Sequence, residues 1–399
     1  MKPQSPKGYQ LTEEEQMIKD TVHAFAKKAL RPAAPEYDRR EEPAERVPRK
    51  ELEQALSTNG LGLGMAFVPS DYDGSGYGLR ELSLIAEELA WGDLGFVYSA
   101  LGNMHSVPAI VSRGTSEQKR KWLPAIVGGD AAGILVSAAL TEPDTGSNLF
   151  STDPQGGIQT SAHLEGRQYR LNGPKCFINM AGLSDLYLVW ARTAPFKDAA
   201  DGELSVFMVP SDTPGLKIGK IEDFMGIKTA QLGEVILEDC RISADNLLGS
   251  VGDGLQIAFD TLPIVETLMG AAAVGISQAA FEAAKTYAAQ RITGKHPINQ
   301  HQAVAHKLVD MNMMIEATRS LVWRSACMHD GGLPDVKLSL MCKVFGSETA
   351  QRVTADAVQI VGAYGYSREF PVEKYMRDAK SLQVNGPDLV MRNHLSLFI

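Results

Sequence analysis

The sequence predicts an α+β protein in which two helical domains flank a central β-domain. Hydrophobic residues recur at helical spacing in the first third of the chain, and short β-rich runs separated by turn residues follow. Long helical patterns with short connections fill the remainder. The length of 399 residues suits two or three domains. We therefore predict a helical domain at 1–135, a β-barrel or sandwich at 136–247, and a C-terminal four-helix bundle at 248–399.

The N-terminal domain is predicted from three helical segments. The first has apolar residues every three to five positions, at Met17, Ile18, Val22, Phe25 and Leu30. Thr12, followed three residues later by Glu15, has the spacing of a capping box at the start of this helix. The stretch "LRELSLIAEELAWGDLGF" repeats the pattern, and "SEQKRKWLPAIVGG" begins at Ser116 and ends in glycines.

The central and C-terminal domains have different periodicities. In "YRLNGPKCFINMAG", the Asn172–Gly173 pair predicts a tight turn between two short strands. The apolar runs "DLYLVWART", "ELSVFMVP" and "GEVILEDCRIS" predict further strands of a small sandwich or barrel. Helical patterns then cover 254–291, 302–330 and 338–362, and their short connections indicate an antiparallel bundle.

Composition and charge exclude several classes of function. The net charge is −9 without a block of Lys or Arg, so no nucleic-acid partner is expected. The N-terminus has no apolar signal region, and no run reaches the roughly 18 apolar residues of a membrane span. The eight histidines show no close metal-ligand spacing. Four scattered cysteines indicate reduced thiols in a cytoplasmic protein without a metal site: Cys176, Cys240, Cys327 and Cys342.

Four motifs in order carry a resemblance to a known family. They are "ALTEPDTGSN" at 139–148, "LNGPKCFINMAG", "YAAQRITGKHPINQHQA" and "DAVQIVGAYGYSREFPVEKYMRDAK". From Leu11 to Arg392 the chain resembles an acyl-CoA dehydrogenase. The resemblance implies FAD as cofactor and α,β-dehydrogenation of an acyl thioester, carried on CoA or on an acyl-carrier protein. It also implies a homotetramer or dimer and an electron-transfer flavoprotein or another electron acceptor.

The resemblance assigns residues around the flavin ring. Leu140 and Thr141 match the segment that contacts the ring through backbone and hydroxyl groups, and Ser147 matches a contact to the substrate's pantetheine side. Phe177 and Asn179 stand where the family has an aromatic residue followed by Thr or Ser. A Phe can stack on the ring and an amide can bond its polar edge, although Phe177 could also be a core residue.

The resemblance also assigns residues to the FAD phosphates. Arg291 matches an arginine that crosses to the neighbouring subunit's FAD, and its planar fork suits a diphosphate. Gln302 matches a second FAD contact, and Gln359 and Gly362 would approach the phosphates. The Phe-Gly that the family has after the arginine is here Gly294–Lys295, a departure on the adenine side.

The chain departs from the family at the proton acceptor. The family reaction removes a weakly acidic proton from Cα, which requires a carboxylate within hydrogen-bond reach. Most members have a Glu at the position of Asn385 or Gly386, and a smaller branch has it at the position of Val265. Neither position is acidic. Glu266 occupies the next position, where an arginine is usual.

Three explanations for the missing base remain open from the sequence. In the first, Glu266 takes over the base role, with the helical rotation from position 265 to 266 absorbed by a distortion at Pro263. In the second, Glu266 is a paired or solvated carboxylate. In the third, Asp388, otherwise a cap of the last helix, is the base. The exchange of Arg for Glu favours an unusual acyl group carrying a cation or hydroxyl, or a carrier-bound pantetheine. The alternatives are a non-oxidative lyase, although the arginine expected near Phe96 is absent, and a non-catalytic flavoprotein on the same fold.

Overall fold

The architecture is that of two helical domains around a central sheet, which confirms the predicted fold class. The structure is a computed structural model that describes residues 10–129, 132–146, 148, 156–193, 204–386 and 388–396.

The N-terminal domain contains seven α-helices within its described residues. They are α1 (Glu13–Phe25), α2 (Arg31–Asp38), α3 (Arg49–Leu56), α4 (Leu79–Gly92), α5 (Leu94–Ala100), α6 (Ser106–Arg113) and α7 (Ser116–Val127). The predicted capping box is present, because the backbone N–H of Glu15 donates to Thr12 Oγ1 at 3.1 Å and that of Thr12 donates to Glu15 Oε2 at 2.7 Å. Val22 and Phe25 are buried as predicted, whereas Met17 is 64% exposed.

The central domain is built on one sheet of eight strands. They are β1 (Val136–Ala139), β2 (Ser161–Glu165), β3 (Gln168–Asn179), β4 (Leu186–Arg192), β5 (Leu204–Pro210), β6 (Leu216–Ile221), β7 (Leu232–Ser243) and β8 (Leu247–Leu248). Their order is β6-β7-β3-β2-β4-β5-β8, and β1 pairs in parallel with β4. Alternate residues of β4 enter two different cores: Leu188 packs with α6 and α7, and Val189 packs with β3, β5 and β7. Both faces of the sheet are therefore covered.

The predicted turn at Asn172–Gly173 is wrong, because β3 continues through it as a single strand. Gly173 has φ +146°, and its pairing with β7 shifts register after Leu171, which marks a β-bulge. A Cβ on Gly173 would lie 2.6 Å from Thr160 Oγ1 and 2.8 Å from Thr160 Cα. Position 173 is therefore a glycine because the segment of Thr160 packs closely against it, and not because a hairpin turn requires one.

The C-terminal domain is arranged around one long central helix. Its elements are α8 (Gly254–Gln290), a two-stranded ribbon of β9 (Ile292–Thr293) and β10 (His296–Pro297), α9 (Gln302–Asp330), α10 (Val336–Val361), α11 (Ala363–Tyr366), α12 (Val372–Val384) and α13 (Asp388–Ser396). α8 packs against α9, α10 and α12 and also against α4 of the N-terminal domain. A Cβ on Gly275 would lie 2.0 Å from the carbonyl oxygen of Glu87, so α4 and α8 approach closely there.

α8 is long and apolar enough to cross a bilayer by length and composition alone. In the structure, however, 78% of its most apolar stretch is buried inside the protein. This is the burial of a core helix.

A buried charge cluster joins the three domains. Lys374 of α12 donates to the carboxylates of Asp93, which precedes α5, and of Asp378, the latter at 2.5 Å. From the central domain, Thr229 donates to Asp93, and the backbone N–H of Ile227 donates to Asp378 at 2.6 Å. Although burial disfavours its charge, the two carboxylates raise the pKa of Lys374. We call these residues the junction cluster, and they fix the mutual placement of the domains.

Candidate functional site

The loop after β1 is held by buried polar contacts. Lys175 Nζ donates to the carbonyl oxygen of Leu140 at 3.0 Å, and the N–H of Cys176 donates to that of Thr141 at 2.9 Å. Lys175 also pairs with Glu142 at 2.8 Å, and both side chains are buried. Burial lowers the pKa of Lys175 to about 8 against the opposing charge of Glu142. The predicted ring contacts Leu140 and Thr141 therefore lie on a rigid backbone.

Phe177 and Asn179 carry two features that fit a flat ring with polar edges. Phe177 has φ +56° and is 51% exposed, with its ring centroid 6.0 Å from that of Phe224, so its alternative as a core residue is wrong. Asn179 donates through Nδ2 to the carbonyl oxygen of Tyr98. Its Oδ1 is buried and has no hydrogen-bond partner among the described residues. This oxygen is therefore open to a hydrogen bond from a polar ligand group or a water molecule.

The four FAD contacts predicted in the C-terminal domain are exposed. Arg291 follows the last turn of α8, and its guanidinium has no hydrogen bond or ion pair within the part of the chain that the structure describes. Gln302 begins α9, and Gln359 lies in the last turn of α10. Gly362 has φ +72°, and a Cβ there would meet no atom within 4 Å, so its backbone is open to a ligand.

An aromatic cluster brings the end of α8, next to Arg291, close to the start of α11, next to Gly362. The ring of Phe370 lies 5.8 Å from that of Tyr287, one turn before Arg291, and 5.7 Å from that of Tyr364, two residues after Gly362. The end of α8 and the start of α11 therefore share one surface. Ser147, the predicted pantetheine contact, lies outside the described residues.

Glu266 is neither solvated nor paired, so that explanation of its presence is wrong. Its side chain is on α8, and the residue is only 6% exposed. No described residue gives its carboxylate a hydrogen bond or an ion pair. α8 passes through Pro263 as uninterrupted helix, so Glu266 reaches its place without a break there. Val265, the position used by the smaller branch, is buried in the hydrophobic core.

The carboxylate of Glu266 lies near Gly386, one of the two positions at which the resemblance predicts the base. A Cβ built on Gly386 lies 4.0 Å from Glu266 Oε1 and 2.6 Å from Met391 Cε. A longer side chain at position 386 would therefore enter the space that Glu266 already uses. Positions 266 and 386 are therefore distant in sequence but adjacent in space.

Burial raises the pKa of Glu266 to about 7, with Lys343 lowering it and Asp388 raising it further. A carboxylate with this pKa is a stronger base than an exposed one, and about half of it is ionised at pH 7. Asp388 itself accepts from Lys343 Nζ at 2.6 Å and from Ser347 Oγ at 2.7 Å. It begins α13, and both of its oxygens accept hydrogen bonds, which favours Glu266 over Asp388 as the base.

Tyr98 connects the ring residues with the surroundings of Glu266. Its carbonyl accepts from Asn179, and its buried hydroxyl lies 3.4 Å from Ser381 Oγ and 3.5 Å from Asn385 Nδ2. Burial raises the pKa of Tyr98, and the charge of Glu266 contributes. Asn179, Tyr98 and Glu266 thus belong to one site between the sheet, α5 and the bundle.

Sequence reasoning missed Tyr98 and Lys343. A signal for Lys343 was present, since it is the only charged residue in the apolar run "LSLMCKVFG". A lysine inside a helix face that is otherwise buried needs a partner, and such positions mark polar sites.

Gly386→Ala tests whether position 386 must stay free of a side chain. Because φ is +58°, any L-residue is strained there by about 1 kcal/mol, and the new Cβ would lie 2.6 Å from Met391 Cε, so the packing beside Glu266 must shift. We expect turnover to fall by about 10- to 100-fold, since small displacements of a reacting group cost that much.

The matched control is Gly332→Ala, in the connection between α9 and α10. Gly332 has φ +76° but no atom within 4 Å of a new Cβ, so it carries the same strain without the crowding. Thermal unfolding and turnover measured on both variants separate the two effects. Equal turnover in both would contradict the importance of the empty position.

Comparison with known proteins identifies the family. Residues 12–130 match the family model of the acyl-CoA dehydrogenase N-terminal domain. Residues 137–240 match the middle domain of the same family, and residues 252–397 match its C-terminal domain. These three matches cover nearly the whole chain.

Three solved structures are similar over almost their full lengths. Butyryl-CoA dehydrogenase of Megasphaera elsdenii is 35% identical with a TM-score of 0.89, covering 98% of this chain and 99% of that one. A chain described with the electron-transferring flavoprotein of Acidaminococcus fermentans and flavin-based electron bifurcation is 36% identical, with a TM-score of 0.88 and 98% of each chain covered. The prolyl acyl carrier protein oxidase AnaB is 26% identical, with a TM-score of 0.86, covering 98% and 99%.

The resemblance stated from the motifs is therefore confirmed, and the exposed Phe177 ring and unpaired Asn179 oxygen fit the cofactor of this family. This chain belongs to the acyl-CoA dehydrogenase family of FAD-dependent oxidoreductases, which act on a CH–CH group.

Proposed function

We propose that the protein oxidises the α,β-bond of an acyl thioester and that Glu266 is the proton acceptor. The observation that carries this proposal is the buried Glu266 carboxylate, free of described partners and 4.0 Å from the Cβ position of residue 386. A carboxylate buried without a partner is costly to a fold, and such groups concentrate at functional sites.

The chemistry follows from the environment of this carboxylate. The α-proton of a thioester is a weak acid, so the ionised carboxylate of Glu266 takes it while the Cβ–H bond breaks with its electron pair and a C=C bond forms. When bound, FAD supplies the acceptor for that hydride. Burial of Glu266 disfavours its charged form and so keeps the carboxylate basic.

The cofactor would be held by both groups of predicted residues. Phe177 is proposed to stack on the ring, and the amide of Asn179 to bond its polar edge, with Leu140 and Thr141 beside it. Arg291 is proposed to bind the diphosphate of the FAD held by a neighbouring subunit. Gln302 is proposed as a second FAD contact, and Gln359 and Gly362 are proposed to lie against FAD phosphates. This arrangement would require a homo-oligomer, which we propose to be a tetramer or a dimer in the cytoplasm.

We propose that the acyl group is an unusual one carrying a cation or hydroxyl, bound to CoA or to a carrier protein. Glu266 brings a negative charge to a position where the family usually has an arginine, which favours a polar or cationic acyl group over a plain fatty chain. The similar prolyl acyl carrier protein oxidase supports a carrier-bound substrate, and butyryl-CoA dehydrogenase supports CoA. The similar chain described with an electron-transferring flavoprotein supports such an acceptor.

A panel of thioesters tests the proposed activity. Butyryl-CoA, 4-aminobutyryl-CoA, 3-hydroxybutyryl-CoA and a prolyl-carrier protein are mixed anaerobically with the purified flavoenzyme, and flavin absorbance is followed. Bleaching by one of them supports dehydrogenation and identifies the substrate class. Product formation without bleaching supports the lyase alternative, and purification without flavin that cannot be restored by FAD supports the non-catalytic one.

Arg291→Ala tests the phosphate contact. Loss of charge-assisted hydrogen bonds to a diphosphate is expected to raise the Kd for FAD about 10- to 100-fold. Flavin content after gel filtration and a titration of the apoprotein with FAD measure this. Arg241→Ala, which removes an exposed arginine of β7 paired with Glu165, is the control and should retain flavin. Full flavin occupancy in Arg291→Ala would refute the assignment.

A further inference from the structure

We propose that Lys343 and Asp388 form a positioning pair that keeps the turn at Gly386 open for the Glu266 carboxylate and holds one positive charge beside it. The inference rests on the proposed role of Glu266 as proton acceptor. Neither residue touches the reacting atoms in this proposal, and both act through Glu266.

Lys343 is held in a fixed place by buried contacts. Its Nζ donates to the carbonyl oxygen of Gly386 and to Asp388 Oδ1 at 2.6 Å. The other oxygen of Asp388 accepts from Ser347 Oγ at 2.7 Å, one turn further along α10. Lys343 is buried, and a buried ammonium group is stable only when paired and hydrogen-bonded. The position of the charge is therefore set by α10 and α13 together.

Lys343 and Glu266 lie on either side of the same glycine. A Cβ on Gly386 would be 3.9 Å from Lys343 Cε and 4.0 Å from Glu266 Oε1. The two charged groups nevertheless form no ion pair within 4 Å, because the ammonium is drawn to the Gly386 carbonyl and to Asp388. A direct ion pair would stabilise ionised Glu266 strongly and make it a weak base. Because Lys343 is separated from Glu266, the carboxylate of Glu266 stays basic but is still influenced by the positive charge of Lys343.

Several other charged groups on the surrounding helices are paired elsewhere. Tyr98 of α5 has only its hydroxyl near Glu266. The pairs are Lys374 with Asp378 on α12, Arg319 of α9 with Glu87 of α4, His23 with Glu88 of α4, and Arg113 of α6 with Asp260. Lys343 and Asp388 are the two charges that act on Glu266, Lys343 lowering its pKa and Asp388 raising it.

The test is a direct titration of the Glu266 carboxyl in the flavin-loaded enzyme. Infrared difference spectra are recorded from pH 5 to 9, and the band absent in Glu266→Gln assigns the signal. Lys343→Met should raise the Glu266 pKa by about one unit and Asp388→Asn should lower it by a similar amount, because each removes a charge of opposite sign. Lys343→Met combined with Asp388→Asn should return it near the parent value.

Two further variants separate charge from packing. Lys343→Arg keeps the charge and should keep the pKa, and Ser347→Ala removes a hydrogen bond without a charge and should move it by less than about 0.3 unit. Single-variant shifts in the same direction, or shifts below about 0.3 unit, would overturn the proposal. If Lys343→Met does not fold, Asp388→Asn and the double variant decide alone. Parental flavin reduction in Glu266→Gln would instead refute the role of Glu266, whatever the titrations show.

Discussion

Glu266→Gln is expected to slow anaerobic flavin reduction by acyl thioester by about 10²-fold or more while leaving FAD bound. The amide has the shape of the buried carboxylate but cannot accept a proton from Cα. The parent rate should rise with pH through about 7 and level off above it, because only ionised Glu266 acts as a base. In the variant this rise should be absent. Stopped-flow absorbance over the pH range measures both quantities.

The control is Glu81→Gln on α4, where burial also raises the pKa of a carboxyl group. Glu81 lies in the N-terminal domain and has no place in the proposed site, so the reduction rate should change by less than about twofold. A parental rate and pH profile in Glu266→Gln would show that another group takes the proton.

Lys374→Met is expected to destabilise the protein by about 3–5 kcal/mol, the largest stability effect that we anticipate. The substitution removes the shared cation of the junction cluster and leaves Asp93 and Asp378 buried without their charge partner. Because these carboxylates belong to different domains, their repulsion acts directly on the domain junction. Urea and thermal unfolding of the flavin-loaded protein measure the loss, with an expected fall of several degrees in Tm.

Lys220→Met serves as the matched control, because Lys220 pairs with Glu222 at 2.6 Å on the surface. An exposed pair contributes little to stability, so its loss should hardly move the unfolding curve. Similar unfolding of the Lys374 and Lys220 variants would contradict the structural role of the junction cluster.

Local patterns in the sequence were sufficient for the helices. The predicted bundle segments 254–291, 302–330 and 338–362 correspond to Gly254–Gln290, Gln302–Asp330 and Val336–Val361. Periodicity and end signals are local properties, so they can be read without knowledge of the fold. The prediction of a turn at Asn172–Gly173 failed because position 173 is a glycine for another reason: Thr160, from another segment, packs directly against it. A contact of this kind cannot be recognised from a local sequence pattern.

The candidate site was predictable only in part for the same reason. Motif positions identified Phe177, Asn179 and Glu266 as candidates, but the state of Glu266 depends on distant segments. Its pKa depends on burial and on the charges of Lys343 in α10 and Asp388 in α13, and Gly386, beside its carboxylate, has no side chain. Proton affinity is set by neighbours in three dimensions, so the sequence left open whether Glu266 is free, paired or solvated.

The central claim, that Glu266 takes the α-proton, can be measured without oxidation. Thioesters with sulfur at the β-position, such as (methylthio)acetyl-CoA and its carrier-protein analogue, have no β-hydrogen to lose, yet their α-hydrogens remain exchangeable. With deuterium at Cα, the flavin-loaded parent should release the label to water, and Glu266→Gln should release it at least about 10²-fold more slowly. Equal rates of deuterium loss from the parent and the variant would contradict the claim.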